Sequence, residues 1–211
     1  LPLIGLEIGI FWAGIDFSLN YLGINGFIYG LVMCAWPYLS TGFMHLDGFM
    51  DVTDAICSWR SLEKRRMILK DSHVGSFAVV WCIFLILAGF SLLASVPSGS
   101  GRFCLLFIPV LSRCCSALAI MKLKVMDTSQ YAQTTFYPDW HKIFLLFLIA
   151  VCAAGGFLIS LKSGLVLLTE LLGYGFFLKK SYTSLDGMNG DISGFCICIS
   201  ELCAVAAFAL L

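Results

Sequence analysis

Charge is what this sequence has least of. Only 12% of its 211 residues are Asp, Glu, Lys or Arg, against about 25% in an ordinary soluble domain. Hydrophobic residues make up 60%. A chain this apolar has too little polar surface to cover a particle in water, which excludes a soluble globular domain and points to lipid as the solvent. Paired zinc-type C-x-x-C motifs are also missing. The ten cysteines fall mostly within apolar runs, and Cys196 and Cys198 are too close in sequence to share a helical face. They read as small hydrophobes in helix packing and imply no disulfide framework. No internal repeat, low-complexity tail or signal peptide is recognisable. The net charge of zero is silent about acidic partners. The chain opens at Leu1, so a few upstream residues are expected to precede it, with residues 1–211 forming a single integral-membrane domain.

What the sequence has instead is long apolar runs. A spanning helix needs roughly 20 mostly apolar residues. Candidate segments lie near Pro2–Ile15, Asn25–Ser40, Phe77–Val96, Phe103–Met121, Ile143–Leu161, Gly164–Leu178 and Ile192–Leu211. The first is short and carries Glu7. Tight turns are expected at Ser98–Gly101 and Lys162–Gly164. The expected fold class is therefore all-α, a polytopic transmembrane helix bundle of six to seven spans. Three longer polar segments remain, Thr41–Ser76, Lys122–Lys142 and Lys179–Asp191, and alternation of the spans puts all three at one face. They hold ten of the thirteen Lys and Arg residues, so the positive-inside rule makes that face cytoplasmic.

The scarce acids are not scattered. Asp47, Asp51 and Asp54 stand at i, i+4 and i+7 in Thr41-Gly-Phe-Met-His-Leu-Asp-Gly-Phe-Met-Asp-Val-Thr-Asp54. On a helix they share a face within about 60° of arc. Three carboxylates so placed raise each other's pKa unless a cation lies among them, and hard oxygen donors suit Mg²⁺, Mn²⁺ or Ca²⁺ rather than zinc. The alternative is a solvated acidic face. A second cluster, Lys70-Asp71-Ser72-His73-Val74-Gly75, precedes a span; Asp71 or Ser72 either caps that helix or joins Lys70 in a phosphate site at its N-terminus. A third, Asp186-Gly-Met-Asn189-Gly190-Asp191, precedes the last span; Asn189 or Asp191 either caps it or contacts a ligand where the glycines let backbone approach closely. Arg113, Glu170 and Glu201 fall inside spans, where charge is costly and usually functional. They read as a structural Arg–Glu pair or as part of a site. Glu201 lies about 15 Å beyond Asp191 along a helix and is not expected to reach the same metal. His45 on a continuous helix would point away from Asp47; it is a base or substrate contact if the helix begins after it, and an interfacial histidine otherwise.

These three clusters resemble the cobalamin synthases, the adenosylcobinamide-GDP ribazoletransferases. The family pattern T-G-G-L-H-L-D-G-L-A-D-x-x-D is similar to Thr41–Asp54, M-K-D-S-x-x-G-x-F-G to Leu69–Ala78, and G-G-x-T-G-D-x-x-G to Asp186–Gly194. Asp186, Asn189 and His73 stand where the family commonly has Gly, Thr and Arg. The likeness runs in order along the whole chain. It implies a membrane transferase that joins adenosylcobinamide-GDP to α-ribazole or its 5′-phosphate with release of GMP. In that reading Asp47, Asp51 and Asp54 hold Mg²⁺, and His45, Asp47, Lys70 and Asp71 act in catalysis. Gly48, Ser72, Gly75, Arg113, Asn189, Gly190 and Asp191 contact substrate. The expected setting is the cytoplasmic membrane of a prokaryote, with no nucleic-acid partner and a homo-oligomer left open. Two rivals stand beside it: another Mg²⁺-dependent membrane diphosphate transferase, and a cation- or proton-coupled transporter built on Arg113, Glu170 and Glu201.

Overall fold

The computed structural model describes residues 1–97, 103–126, 129 and 138–211. Among them are nine helices: α1 (Pro2–Tyr21), α2 (Gly26–Leu39), α3 (Met44–Cys57), α4 (Leu62–Ile68), α5 (Ser76–Ala94), α6 (Cys104–Lys122), α7 (Asp139–Ile159), α8 (Leu161–Leu185) and α9 (Gly190–Leu210). Strand pairing among the described residues is limited to an isolated bridge, Val125 with Met188. Six helices, α1 and α5 to α9, are long and apolar enough to cross a membrane. The fold is the all-α polytopic bundle that the hydropathy pattern predicts.

Burial sorts the helices. In the most apolar window of α6 and of α9, 72% of residues are buried, against 22% in α5 and 17% in α7. α6 and α9 are thus the inner pair, and the outer helices turn Leu, Phe and Ile outward, as a lipid-facing surface requires. α1 lies tightly on α6: a side chain at Gly5 or Gly9 would collide with the α6 backbone at Pro109 and Leu106. Two indole N–H groups fasten α1 to α2, Trp12 donating to Met33 O (3.0 Å) and Trp36 to Ile8 O (3.1 Å). All ten cysteines are free thiols, in keeping with their reading as packing residues.

α2 and α3 set up the site. Between them the chain bends by 86°, so α3 does not continue the line of α2 and packs instead on α9 and α5. The bend is made by two successive residues in the left-handed region, Gly42 (φ 57°) and Phe43 (φ 63°). Glycine takes that conformation without penalty; phenylalanine carries a Cβ clash of about 1–2 kcal/mol.

Several sequence expectations need correction. α1 runs to Tyr21, well past Ile15, because Asp16 is absorbed by a hydrogen bond from Tyr29 Oη (2.7 Å). The turn expected at Lys162–Gly164 is helix: the chain breaks at Ser160, whose Oγ accepts from Ser163 N (3.0 Å) and starts α8 at Leu161. α8 also continues to Leu185 through the polar stretch after Leu178. The segment 41–76 holds two helices, α3 and α4. The turn at Ser98–Gly101, Arg102, and residues 127, 128 and 130–137 lie outside the described residues.

Candidate active site

α3 begins at Met44, so Asp47, Asp51 and Asp54 ride on one continuous helix and share a face, with Asp47 in its first turn. Asp47 is exposed, and Asp51 and Asp54 are half-buried. The opposite face, with Leu46, Phe49, Val52 and Ala55, is buried in the second core cluster of the bundle, together with Ile192 and Phe195 of α9. The amphipathic pattern therefore fixes which way the acids point.

A fourth acid joins them from α9. Gly48 faces the Asp191 backbone, where a methyl group would lie 2.8 Å from the Asp191 carbonyl oxygen. Gly194 in turn faces the His45 backbone, at 2.9 Å from its carbonyl oxygen. The two glycines let α3 and α9 cross backbone to backbone, and this brings Asp191 beside the α3 acids. Gly48 is thus a helix-crossing residue. Burial, with Asp47, Asp191 and Asp54 nearby, pushes the Asp51 carboxyl up to about 6. No basic side chain among the described residues pairs with Asp47, Asp51 or Asp54. Nor do any three His, Cys, Asp or Glu side chains among the described residues converge on one point. This set of acids fits a hard cation such as Mg²⁺, which takes one or two carboxylates and completes its shell with water and phosphate oxygens.

The second cluster meets the first at Gly75. A side chain there would collide with the Asp54 carboxylate, so Gly75 leaves the space that this acid occupies. The cap of α5 is Gly75, with no side-chain hydrogen bond, and neither Asp71 nor Ser72 takes that role. Asp71 Oδ1 accepts from His73 N (3.0 Å) and pairs with His73 Nδ1 (2.7 Å), bonds that lower its carboxyl below the usual carboxylate range. Lys70, Asp71 and Ser72 are all exposed on the α4–α5 connection.

In the third cluster Asn189 does cap α9: its Oδ1 accepts from Ile192 N (2.9 Å), while its Nδ2 donates to Asp191 Oδ2 (2.7 Å). One side chain therefore both starts the helix and orients the fourth acid; Gly190 is the first residue of α9. The loop before it is held from two sides. Arg66 of α4 donates to Leu185 O (3.0 Å) and to Asp186 O (2.6 Å), and Arg65 donates to Ser184 O (3.2 Å). On the other side Met188 N donates to Lys124 O (2.9 Å) and Met126 N to Met188 O (2.9 Å). Arg65 and Arg66 were not legible as site-building residues, because their partners lie 119 and 120 positions away. The available signal was chemical: cations suit the unsatisfied carbonyls at the C-terminus of α8.

Two sequence candidates face elsewhere. His45 lies inside α3, so the condition for its pointing with Asp47, a helix starting after it, is not met. Burial, with Arg113 nearby, holds its imidazolium down at about 4. Arg113 is buried within α6, donating to Glu201 Oε1 (2.6 Å), Pro109 O (3.1 Å) and Ser112 Oγ (3.2 Å). The structural-pair alternative for Arg113 and Glu201 holds.

The comparisons with known proteins agree along the full chain. The adenosylcobinamide-GDP ribazoletransferase of Clostridium perfringens (strain SM101 / Type A) is 31% identical over 215 residues, covering 100% of this chain and 85% of the relative. That of Clostridium botulinum (strain Alaska E43 / Type E3) is 31% identical over 205 residues, covering 95% and 81%. The protein of the same name from Corynebacterium diphtheriae is 27% identical over 218 residues, covering 97% and 78%. No solved structure matches. The family model described as cobalamin-5-phosphate synthase matches residues 1–209, and a chain matched end to end in this way, with its three polar clusters gathered at one end of the bundle, belongs to that family.

Proposed function

We propose that this chain joins adenosylcobinamide-GDP to α-ribazole or its 5′-phosphate and releases GMP, by Mg²⁺-dependent phosphoryl transfer at the face formed by α3, α5 and α9. The ribose hydroxyl oxygen of the acceptor bonds to the corrinoid-side phosphorus, the phosphoanhydride bond breaks, GMP leaves, and the hydroxyl proton is lost. The observation that carries this reading is a group of four carboxylates, Asp47, Asp51, Asp54 and Asp191, with no basic side chain among the described residues paired to the α3 acids. A diphosphate substrate brings two more negative charges, so the face needs a cation to accept it. Asp47 and Asp51 would hold Mg²⁺, which when bound neutralises phosphate charge and polarises the phosphorus.

The remaining roles belong to the chain's own groups. Asp54, seated against Gly75, flanks the acidic face from the α5 side. Asp71 would take the hydroxyl proton, as an exposed carboxylate that its bonds to His73 make a weaker base than a free one. Lys70 would offset charge on the departing GMP. Asn189 orients Asp191 through its 2.7 Å bond. The face lies on the cytoplasmic side of a prokaryotic inner membrane in this reading, which the clustering of basic residues in segments 41–76, 122–142 and 179–191 supports.

The test is GMP release by purified protein from adenosylcobinamide-GDP with each acceptor, with and without Mg²⁺. Release should require the metal, and Asp47→Ala should abolish it while the protein still inserts into membranes. Full turnover by that variant at saturating Mg²⁺ would remove the metal assignment. Transport of substrate across vesicles without GMP release would favour the transporter instead.

A further inference from the structure

Beneath α3, on the side away from the acids, two open cavities adjoin one another and share Phe49, Trp81, Phe177 and Ile199 among their walls. Together they form one groove bounded by α3, α5, α8 and α9. Its two ends differ in chemistry. The end under α3 holds Thr53 and Lys180; the other is lined by Phe84, Ala88 and Leu202, with hardly a polar atom. From Trp81 to Ala88 the groove follows α5 for about 10 Å. Its outer rim is lipid-facing, with Trp81 49% and Phe84 60% exposed.

Two features of the polar end suit a ligand. Thr53 is 5% exposed, and its Oγ1 is buried without a hydrogen-bond partner among the described residues. A hydroxyl left so costs about 1–3 kcal/mol, and a helical threonine ordinarily avoids this by bonding back along its own helix. Lys180 is exposed and is paired with no acid among the described residues. A cation and a hydroxyl donor at the α3 end, followed by an apolar channel running toward the middle of the bundle, match one kind of molecule end to end.

We infer that this groove binds an anionic phospholipid, its phosphate at Lys180 with an ester or phosphate oxygen accepting from Thr53 Oγ1, and one acyl chain along Phe84, Ala88 and Leu202. The site is separate from the acidic face, since Phe49 and Thr53 project from α3 on the side opposite Asp47 and Asp51. The bound lipid fills the space under α3 and supports the helix that carries the acids.

Trp81 is a built-in reporter. The protein is reconstituted in liposomes of phosphatidylcholine doped with either bromo-acyl phosphatidylglycerol or bromo-acyl phosphatidylcholine, and tryptophan quenching is measured against Trp81→Phe to isolate the Trp81 signal. Half-maximal Trp81 quenching should need about fivefold less brominated phosphatidylglycerol than brominated phosphatidylcholine, the preference expected of one lysine near the surface. Lys180→Gln should abolish that preference, and Ala88→Phe should reduce quenching by both lipids. Equal quenching by the two lipids, a preference that survives Lys180→Gln, or quenching unaffected by Ala88→Phe would each overturn the inference. None of these readouts depends on the enzymatic activity.

Discussion

Acids occur in two settings in this bundle. At the α3 face, Asp47, Asp51 and Asp54 are exposed or half-buried, crowd one another, and meet no paired cation among the described residues. In the interior, Glu201 is bonded to Arg113 at 2.6 Å and to Ser112 Oγ at 2.8 Å. The interior pair answers its own charge and so belongs to the architecture. The face does not, and a cluster of unanswered charge on a stable scaffold is where a ligand has to supply the difference. Glu170 belongs to the interior setting: it is fully buried in α8, close to Arg113, Glu201 and the Ser112 backbone.

If the contrast is right, the two settings respond oppositely to neutralisation. The largest effect is expected inside. Glu201→Gln leaves the Arg113 charge buried and uncompensated, and should lower unfolding stability by about 3–5 kcal/mol, read as an earlier thermal midpoint in detergent. The pair replacement Arg113→Met with Glu201→Leu should recover most of that loss and retain turnover; a stable but inactive double variant would move Arg113 into the substrate site. At the face, Asp51→Asn should cut turnover by about a hundredfold or more with the midpoint unchanged or raised, because it relieves repulsion. A smaller, mixed effect belongs to the crossing. Gly48→Ala must push α3 off α9 and should cost about 1–3 kcal/mol, with turnover falling alongside stability. The smallest lies at the bend, where Phe43→Gly removes the left-handed strain and should raise the midpoint by the equivalent of about 0.5–1 kcal/mol, the strain relieved less the entropy glycine loses.

Much of the bundle was legible because spanning helices are written in hydropathy alone. Where that reading failed, polar residues inside helices were the cause: Asp16 and Asn20 in α1, and Lys179 and Lys180 in α8, look like loop residues but are carried at helix ends. The acidic row on α3 was readable from its spacing, because a helical period needs no tertiary knowledge. Its direction was not, since the 86° bend depends on two left-handed residues, one of them Phe43, that no residue preference predicts. The cap by Asn189 followed from local chemistry; the roles of Gly48 and Gly75 did not, because only their neighbours in space, Asp191 and Asp54, reveal what a side chain would hit.

The glycine crossing gives the acidic face two unlike walls. Between Asp191 and the α3 acids the spacing is set by main chain resting on main chain, with no rotamer to turn and no side chain to repack. On the α5 side, Asp54 lies against Gly75 at the end of an exposed connection. One jaw is therefore main chain locked on main chain, and the other rests on the exposed residues 70–74, so a closing of this face on the proposed substrate would fall to that connection before α9.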